Sequence, residues 1–463
     1  MSAIIDRTAP GPLVRMGLTM RRHAAAIQGV QWTMVLAYSV LVAVPAFLPL
    51  PAADTHLWDN LTRFARFVFW GIWWPSAIPS IMVLGRTWCG VFCPEGALSE
   101  WASRYGAGRG IPRWMRWGGW PFVAFLGTTV FGQMTSVYDY PKPALLILGG
   151  STVTAIGVGL RYGRGKRVWC RHLCPVSGVF ALLAKVSPLY FRTDQGVWDA
   201  APPGHRTSRT HPVNCAPLIN IRRLDGSSAC QMCGRCAGER NAVALAWRPP
   251  GAAIYGVRSA DWQADVRKTG RWPARLLVFG MLGAALGAFQ WSVSPWFVSA
   301  KIAVAGWLIG HGLMWPFHDP GHWWLLTDYR QSGDVFSWLD GAMILVYIGT
   351  EALVIGGWVT GWMRLAGFLT EIPWQRFAEV LIPCAGASLF VGLSFLTSSQ
   401  LAGEGVALPW AGTVRTAVLM AAAAWSVVLA VRLAPRQRVA AAAATLLAAA
   451  LPLAAWAVQF CLW

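Results

Sequence analysis

FVFWGIWWPSAIPSIMVLGRTWCGVFCPEG occupies residues 67–96 and joins two features of this chain. Residues 67–84 form an apolar run close to the roughly 20 residues that a helix needs to cross a bilayer. The run leads into an arginine, two cysteines four positions apart and a proline directly after the second cysteine. The same ending returns as RVWCRHLCPVSG at residues 167–178, after another apolar run. We therefore expect two membrane helices that each lead into a pair of thiols.

The composition is typical of a membrane protein. Of 463 residues, 55% are hydrophobic and only 13% are charged, whereas soluble proteins have about 25% charged residues. The sequence predicts an all-α polytopic membrane protein with about nine transmembrane helices. The apolar runs lie near residues 29–50, 65–85, 119–137, 143–160, 273–292, 338–360, 377–398, 409–431 and 438–460.

The distribution of charge predicts the orientation of these helices. The net charge is +19, and residues 161–272 hold 18 Lys and Arg against 6 Asp and Glu. Residues 1–30 and the loop at 86–118 are also basic. By the positive-inside rule, all three regions face the cytoplasm of a bacterial inner membrane. No nucleic-acid recognition motif accompanies the charge, so we expect no nucleic-acid partner.

One apolar segment, residues 296–315, leaves the number of crossings open. If it crosses, there are ten helices and most later arginines lie outside; if it lies along the membrane, there are nine and those arginines lie inside. Charge favours nine, with a periplasmic loop at 296–336. The predicted domains are an N-terminal membrane domain at 1–187, a small cytoplasmic ferredoxin-like iron–sulfur segment at 188–272 and a C-terminal membrane domain at 273–463.

Eight of the ten cysteines fall into groups. Cys230, Cys233 and Cys236 have the C-x₂-C-x₂-C spacing of three ligands to a [4Fe–4S] cluster, whereas zinc sites usually use two separated pairs. A ferredoxin would place its next cysteine where this chain has Arg240. Cys215 is the nearest unassigned thiol, so we expect it to complete this cluster.

The two C-x₃-C-P motifs predict a further cluster. At this spacing on helical backbone, both sulfurs of a pair face one side. Pro94 and Pro175 suit the first position of a following helix, whose N-terminus stabilises anions. We expect the two cysteine pairs to supply four ligands to one cluster just under the membrane. The alternative is that the two cysteine pairs are unrelated and have only structural roles. The four expected ligands are Cys89, Cys93, Cys170 and Cys174.

These motifs, taken together over roughly residues 60–245, resemble the NapH/NosR/CcoG group of membrane-bound polyferredoxins. The resemblance implies two [4Fe–4S] clusters on the cytoplasmic face. It also implies electron transfer to a periplasmic acceptor, to a quinone or to copper.

The resulting functional hypothesis is an electron-transfer subunit or quinol/quinone oxidoreductase. It would relay electrons between a quinone or cytoplasmic donor and a periplasmic or membrane partner, such as a respiratory redox protein. Two alternatives stay open: a copper reductase that helps to assemble a terminal respiratory enzyme, and a non-redox membrane scaffold that contains zinc.

Two further candidates lie in the C-terminal membrane domain. His311, His318 and His322 gather on the expected periplasmic side, where they could bind copper or an axially ligated haem, or simply anchor a polar loop. Glu351 stands in the middle of an apolar run. An ionisable residue at membrane depth suggests a proton or quinone site, with a packed, protonated carboxyl as the alternative.

Overall fold

The computed structural model describes residues 11–52, 54–200, 215–256 and 270–463. The longer helices are α1 (Pro12–Arg22), α2 (Ala24–Phe47), α3 (Leu61–Leu84), α4 (Pro94–Arg104), α5 (Trp120–Met134), α6 (Pro141–Tyr162), α7 (Ser177–Val186), α8 (Trp272–Gln290), α9 (Pro295–Gly310), α10 (Trp338–Thr370), α11 (Trp374–Gly403), α12 (Ala411–Leu433) and α13 (Arg438–Cys461). Short helical turns occupy Val168–His172, Gln195–Ala200 and Ala252–Tyr255. The strands are β1 (Leu189–Thr193), β2 (Val243–Trp247), β3 (Asp328–Tyr329) and β4 (Asp334–Val335).

Eight helices within the described ranges are long and apolar enough to cross a membrane, namely α2, α3, α6, α8, α10, α11, α12 and α13. The chain is therefore a multi-pass, mainly α-helical membrane protein, as its composition predicts. The apolar run near 119–137 corresponds to α5, which has only 15 residues. At 1.5 Å per residue α5 spans about 22 Å, less than the roughly 30 Å of hydrocarbon. The count of nine crossings stays a prediction, as does the count of ten.

The segment that leaves the count open forms α9, a helix of 16 residues. Its length is about 24 Å, which is also short for an upright crossing. Lys301 on α9 forms an ion pair with Asp340 at the start of α10. Like α5, α9 is therefore shorter than an upright crossing requires.

The chain divides into two compact units, and the first comprises residues within Met1–Val40, Ala77–Pro121 and Ser151–Gly256. Its polar part pairs β1 with β2 in antiparallel fashion, with Phe191 opposite Leu245. These two side chains are fully buried in a core that also contains Cys230. Helix α1 packs on the same core, and a Cβ added to Gly17 would lie 3.2 Å from the Cβ of Leu245. The small sheet and α1 therefore support the loop that carries the C-x₂-C-x₂-C motif.

The second unit comprises residues within Leu41–Ser76, Phe122–Gly150 and Val257–Trp463. Its centre is formed by α8, α10 and α11. Gly287 on α8 allows close packing, because a Cβ there would lie 2.9 Å from the Cβ of Glu351 on α10. The indole of Trp456 on α13 is 1% exposed and donates a hydrogen bond of 2.9 Å to the hydroxyl of Ser388 on α11. Small residues and buried hydrogen bonds of this kind are the usual means of packing helices in lipid.

Candidate iron–sulfur sites

Eight cysteines of the first unit form two groups of free thiols. We call the first group site A; it contains Cys89, Cys93, Cys170 and Cys174. We call the second group site B; it contains Cys215, Cys230, Cys233 and Cys236.

The first half of site A is built at the start of α4. After α3 the chain makes one wide helical turn at Trp88–Phe92, which contains Cys89. Cys93 then caps α4, and its Sγ accepts a hydrogen bond of 3.4 Å from the backbone N–H of Gly96. Pro94 occupies the beginning of α4, as the sequence predicts. The N-terminal amides of this helix therefore face a cysteine sulfur.

The second half of site A differs from the first. Cys170 lies in the short turn Val168–His172, and Cys174 follows it. The expectation that Pro175 begins the next helix is wrong, because α7 begins at Ser177. The hydroxyl of Ser177 instead donates a hydrogen bond of 2.7 Å to the carbonyl of Cys170. The side chain at the start of α7 thus holds this turn together.

The four thiols of site A are electrostatic neighbours. Burial raises the pKa of Cys174, and the charges of Glu95 and of the other three cysteines of site A raise it further. Burial likewise raises the pKa of Cys170 to about 12, with Cys89 adding to the shift. The repeated motifs, although 81 residues apart in sequence, therefore lie close together in the structure.

Site B forms around the tight turns of the Cys230–Cys236 loop. Met232 adopts the left-handed conformation, with φ 53°, which is uncommon for a residue other than glycine. Its N–H donates a hydrogen bond of 3.4 Å to the Sγ of Cys230. Burial raises the pKa of Cys236, and the neighbouring charges of Cys230, Cys233 and Cys215 raise it further.

Cys215 therefore lies beside the other three cysteines of site B, although residues 201–214, which precede it, lie outside the described residues. Arg240 replaces the cysteine that a ferredoxin would have at this position. Its guanidinium lies over the ring of Trp198, 4.8 Å from the ring centroid. The neighbourhood of Cys215 makes it the thiol best placed to be the fourth ligand.

Arg86 provides a test of whether site A fits an iron–sulfur cluster. Its residue is 4% exposed, and Nη2 lies 3.7 Å from the Sγ of Cys89. Within the described residues, Nε of Arg86 has no hydrogen-bond partner and no carboxylate pairs with this guanidinium. Burial disfavours the charge of Arg86, but the neighbouring thiolate charges that Cys89, Cys174 and Cys170 carry when deprotonated raise the pKa of Arg86 above its ordinary value. A buried cation without a counter-ion is costly, and an anionic thiolate-ligated cluster at site A would supply the counter-charge that Arg86 lacks.

The donor set also matches a cluster better than a single ion. Among the described residues, no three His, Cys, Asp or Glu side chains form a group that could hold one metal ion. In a [4Fe–4S] cluster each of four thiolates binds a different iron, so its ligands surround the cluster and do not converge on one point. Four free thiols, three of them buried and Cys93 half-buried, fit this arrangement together with a nearby arginine.

Sites A and B adjoin each other through polar side chains whose contacts the sequence did not predict, although the charge of Arg167 beside its cysteine pair is expected to favour an anionic cluster. Arg167 is 1% exposed, and its Nε lies 2.9 Å from Oε2 of Glu100. Its Nη1 donates to the carbonyl of Cys89 at 2.7 Å and to Oε1 of Gln231 at 2.8 Å. Gln31 of α2 donates to the carbonyl of Gly90 at 2.6 Å. The sequence signal for these residues is that polar side chains stand beside cysteine motifs, as for Arg167 and Gln231, or within an apolar helix, as for Gln31.

The three histidines do not form one site in the structure. All three are exposed. Nδ1 of His311 lies 2.8 Å from the carbonyl of Trp307, and Nδ1 of His318 lies 3.3 Å from the carbonyl of Trp315. The ring of His322 instead contacts Trp324. The local contacts agree with the interpretation of a polar loop.

Glu351 is half-buried on α10, at the close contact with Gly287 of α8. It is therefore a membrane carboxyl at a helix–helix interface of the second unit. Its suggested role as a proton or quinone site stays a prediction.

Comparison with known proteins agrees with the cysteine geometry. A family model for a 4Fe-4S binding domain matches residues 67–114 and 147–192. Each matched segment contains one C-x₃-C-P motif, so the two segments contain all of site A, whereas site B lies outside both. No curated protein and no solved structure matches the chain. The chain thus carries a 4Fe-4S binding domain in two segments within a multi-pass membrane protein, which supports a ferredoxin-like iron–sulfur protein.

Proposed function

We propose that this protein is a membrane-bound electron-transfer protein that holds one [4Fe–4S] cluster at site A and a second at site B. The observation that carries the proposal is the match of both C-x₃-C-P segments to a 4Fe-4S binding domain. The collection of eight buried or half-buried thiols into two groups of four supports it. When bound, such clusters supply one-electron transfer.

The chain's own residues would bind and shield these clusters. The amides of Gly96 and Met232 donate to cysteine sulfurs, and hydrogen bonds of this type tune the reduction potential of a cluster. Arg86 balances the negative charge of site A, while the surrounding helices restrict access of water. Residues 86–118 and 161–272 are basic, which supports a cytoplasmic location for both sites in a bacterial inner membrane.

The proposed partners follow from this location. Electrons would pass between a quinone or cytoplasmic donor and a redox partner in the membrane or periplasm. A copper reductase for assembly of a respiratory enzyme is the second candidate; the three histidines suggested as its copper ligands are exposed, and the described residues do not gather them into one metal-binding group. The resemblance to the NapH/NosR/CcoG group belongs to the same proposal.

Metal analysis tests the proposal directly. After anaerobic purification we expect about eight iron and eight sulfide per chain, because two Cys₄ sites each hold one [4Fe–4S] cluster. EPR spectra of the reduced protein should show cubane signals. Stoichiometric zinc with negligible iron would reject the iron–sulfur proposal and favour the zinc scaffold.

Single substitutions test the ligand grouping. Cys89→Ser and Cys174→Ser should damage the same EPR signal, whereas Cys233→Ser should remove the other. Cys384→Ser is the matched control, because Cys384 is buried in the second unit beside the hydroxyl of Ser426. If Cys89→Ser and Cys233→Ser abolish one and the same signal, the grouping into sites A and B is wrong.

A further inference from the structure

The loops of sites A and B are in backbone contact. A Cβ added to Gly90, the residue after Cys89, would lie 1.9 Å from the carbonyl oxygen of Gln231. No side chain fits in such a gap, so only glycine permits this approach. Gln231 is itself the residue after Cys230 and is 2% exposed. A cysteine loop of one site therefore rests directly on a cysteine loop of the other.

Arg167 bonds to both loops at this contact. One nitrogen, Nη1, donates to the carbonyl of Cys89 in site A and to the side-chain oxygen of Gln231 in site B. A planar guanidinium presents several donors in a fixed geometry, so Nε of Arg167 can bond to Glu100 while Nη1 bonds to both loops. A lysine has the same charge but lacks this fork.

A buried carboxylate fixes the position of Arg167. Glu100 on α4 pairs with Arg167 through Oε2 and with Arg235 through Oε1. Arg235 lies between Cys233 and Cys236, so Glu100 also joins both sites. Arg235 contacts Glu100 from a half-exposed position, with 33% of its side chain accessible. Removing Arg235 takes away one cation from Glu100 but leaves both bonds from Arg167 to the loops.

We propose that Arg167 is a positioning residue that clamps the loop of site A to the loop of site B, so that the two clusters work as one electron-transfer unit at a fixed separation. The clamp rests on the proposed function, because it needs a cluster at each site. Its physical reason is that electron transfer between two centres depends steeply on their separation. A rigid, dry contact between the two loops keeps that separation constant.

The test uses the magnetic interaction between the two reduced clusters, observed as splitting or broadening in EPR spectra of the full-length protein. We expect this interaction in the wild type. Arg167→Lys and Gln231→Leu should retain about eight iron and the separate cluster signals but lose the interaction. Arg222→Gln, the matched control, should retain both, because Arg222 pairs with Asp199 at the exposed surface of the first unit.

The outcomes separate the clamp from the proposed function. A wild-type protein without iron would overturn both. A wild-type protein with both clusters but no interaction would overturn the clamp alone, as would an unchanged interaction in Arg167→Lys and Gln231→Leu proteins with full iron. Gln231→Leu keeps the Arg167–Glu100 pair, so this variant tests the contact without leaving a buried charge unpaired.

Discussion

Replacement of Glu100 by Gln should destabilise the first unit strongly, because it breaks a buried ion pair on one side only. The side chains of Glu100 and Arg167 are 8% and 2% exposed, and their N–O distance is 2.9 Å. Glutamine has nearly the same shape, but it leaves the charge of Arg167 buried without a counter-ion. Breaking a buried pair in this way costs about 3–5 kcal/mol.

The control is Glu239→Gln, which breaks a pair of the same type at the surface. Glu239 and Arg21 are 3.2 Å apart, with side chains 31% exposed for Arg21 and 21% exposed for Glu239. An exposed pair contributes about 0–1 kcal/mol. Both variants remove one carboxylate from the first unit, so the comparison sets a buried carboxylate with two arginine partners against a more exposed carboxylate with one.

The assay is urea unfolding of the cluster-free proteins in detergent, followed by tryptophan fluorescence. Removal of the clusters prevents a change in iron content from being read as a change in folding. We expect a clearly lower unfolding midpoint for Glu100→Gln than for Glu239→Gln. Equal midpoints for the two variants would refute the reasoning, because they would mean that the Glu100 pair behaves like a solvated one.

The stability lost in Glu100→Gln should depend on pH. Burial alone would raise the pKa of Glu100, but Arg167 and Arg235 hold it below the ordinary value. A lowered pKa in the folded state contributes stability above the unfolded value of about 4.3, and that stability is lost as the pH falls through the folded pKa. The difference in stability between wild type and Glu100→Gln should therefore be full at neutral pH and shrink in acid.

Two further predictions concern the membrane part. Glu351→Gln should leave expression and both clusters intact while slowing electron transfer to the native partner. A carboxylate in the middle of the membrane costs about 3 kcal/mol, and helix packing alone does not require a carboxylate there. Unchanged turnover would mean that Glu351 has a structural role. Reporter fusions within 320–330 should report the periplasm, and fusions near residue 434 the cytoplasm; the reverse result at both places would establish ten crossings.

The class of the protein could be predicted from sequence because it depends on local chemistry. A run of about 20 apolar residues can satisfy its backbone only as a helix in lipid, so eight of the expected crossings appear as helices of sufficient length. The C-x₃-C-P motif also acts locally. Pro94 has no N–H to lose at the start of a helix, so Cys93 becomes the cap of α4. Both conclusions need only neighbours in the chain.

Other features depend on partners far away in sequence, and these only the tertiary structure decided. Helix α7 begins at Ser177 and not at Pro175. The hydroxyl of Ser177 donates a hydrogen bond to the carbonyl of Cys170 and so holds that turn together. Two of the three nearby histidines lie within hydrogen-bond distance of separate backbone carbonyls, and the third contacts the ring of Trp324. Sequence spacing alone cannot distinguish such cases.

The contact between sites A and B shows the same limit. The sequence around Gly90, Gln231 and Arg167 does not indicate that these three residues are in contact. Folding brings together segments separated by 64 to 141 positions. Sequence identified the cysteines that are candidate iron ligands, since thiol chemistry belongs to each cysteine. Tertiary packing decided that the two sites touch and that the buried Arg167 contacts both. The burial and the contacts of this arginine exist only after distant segments meet.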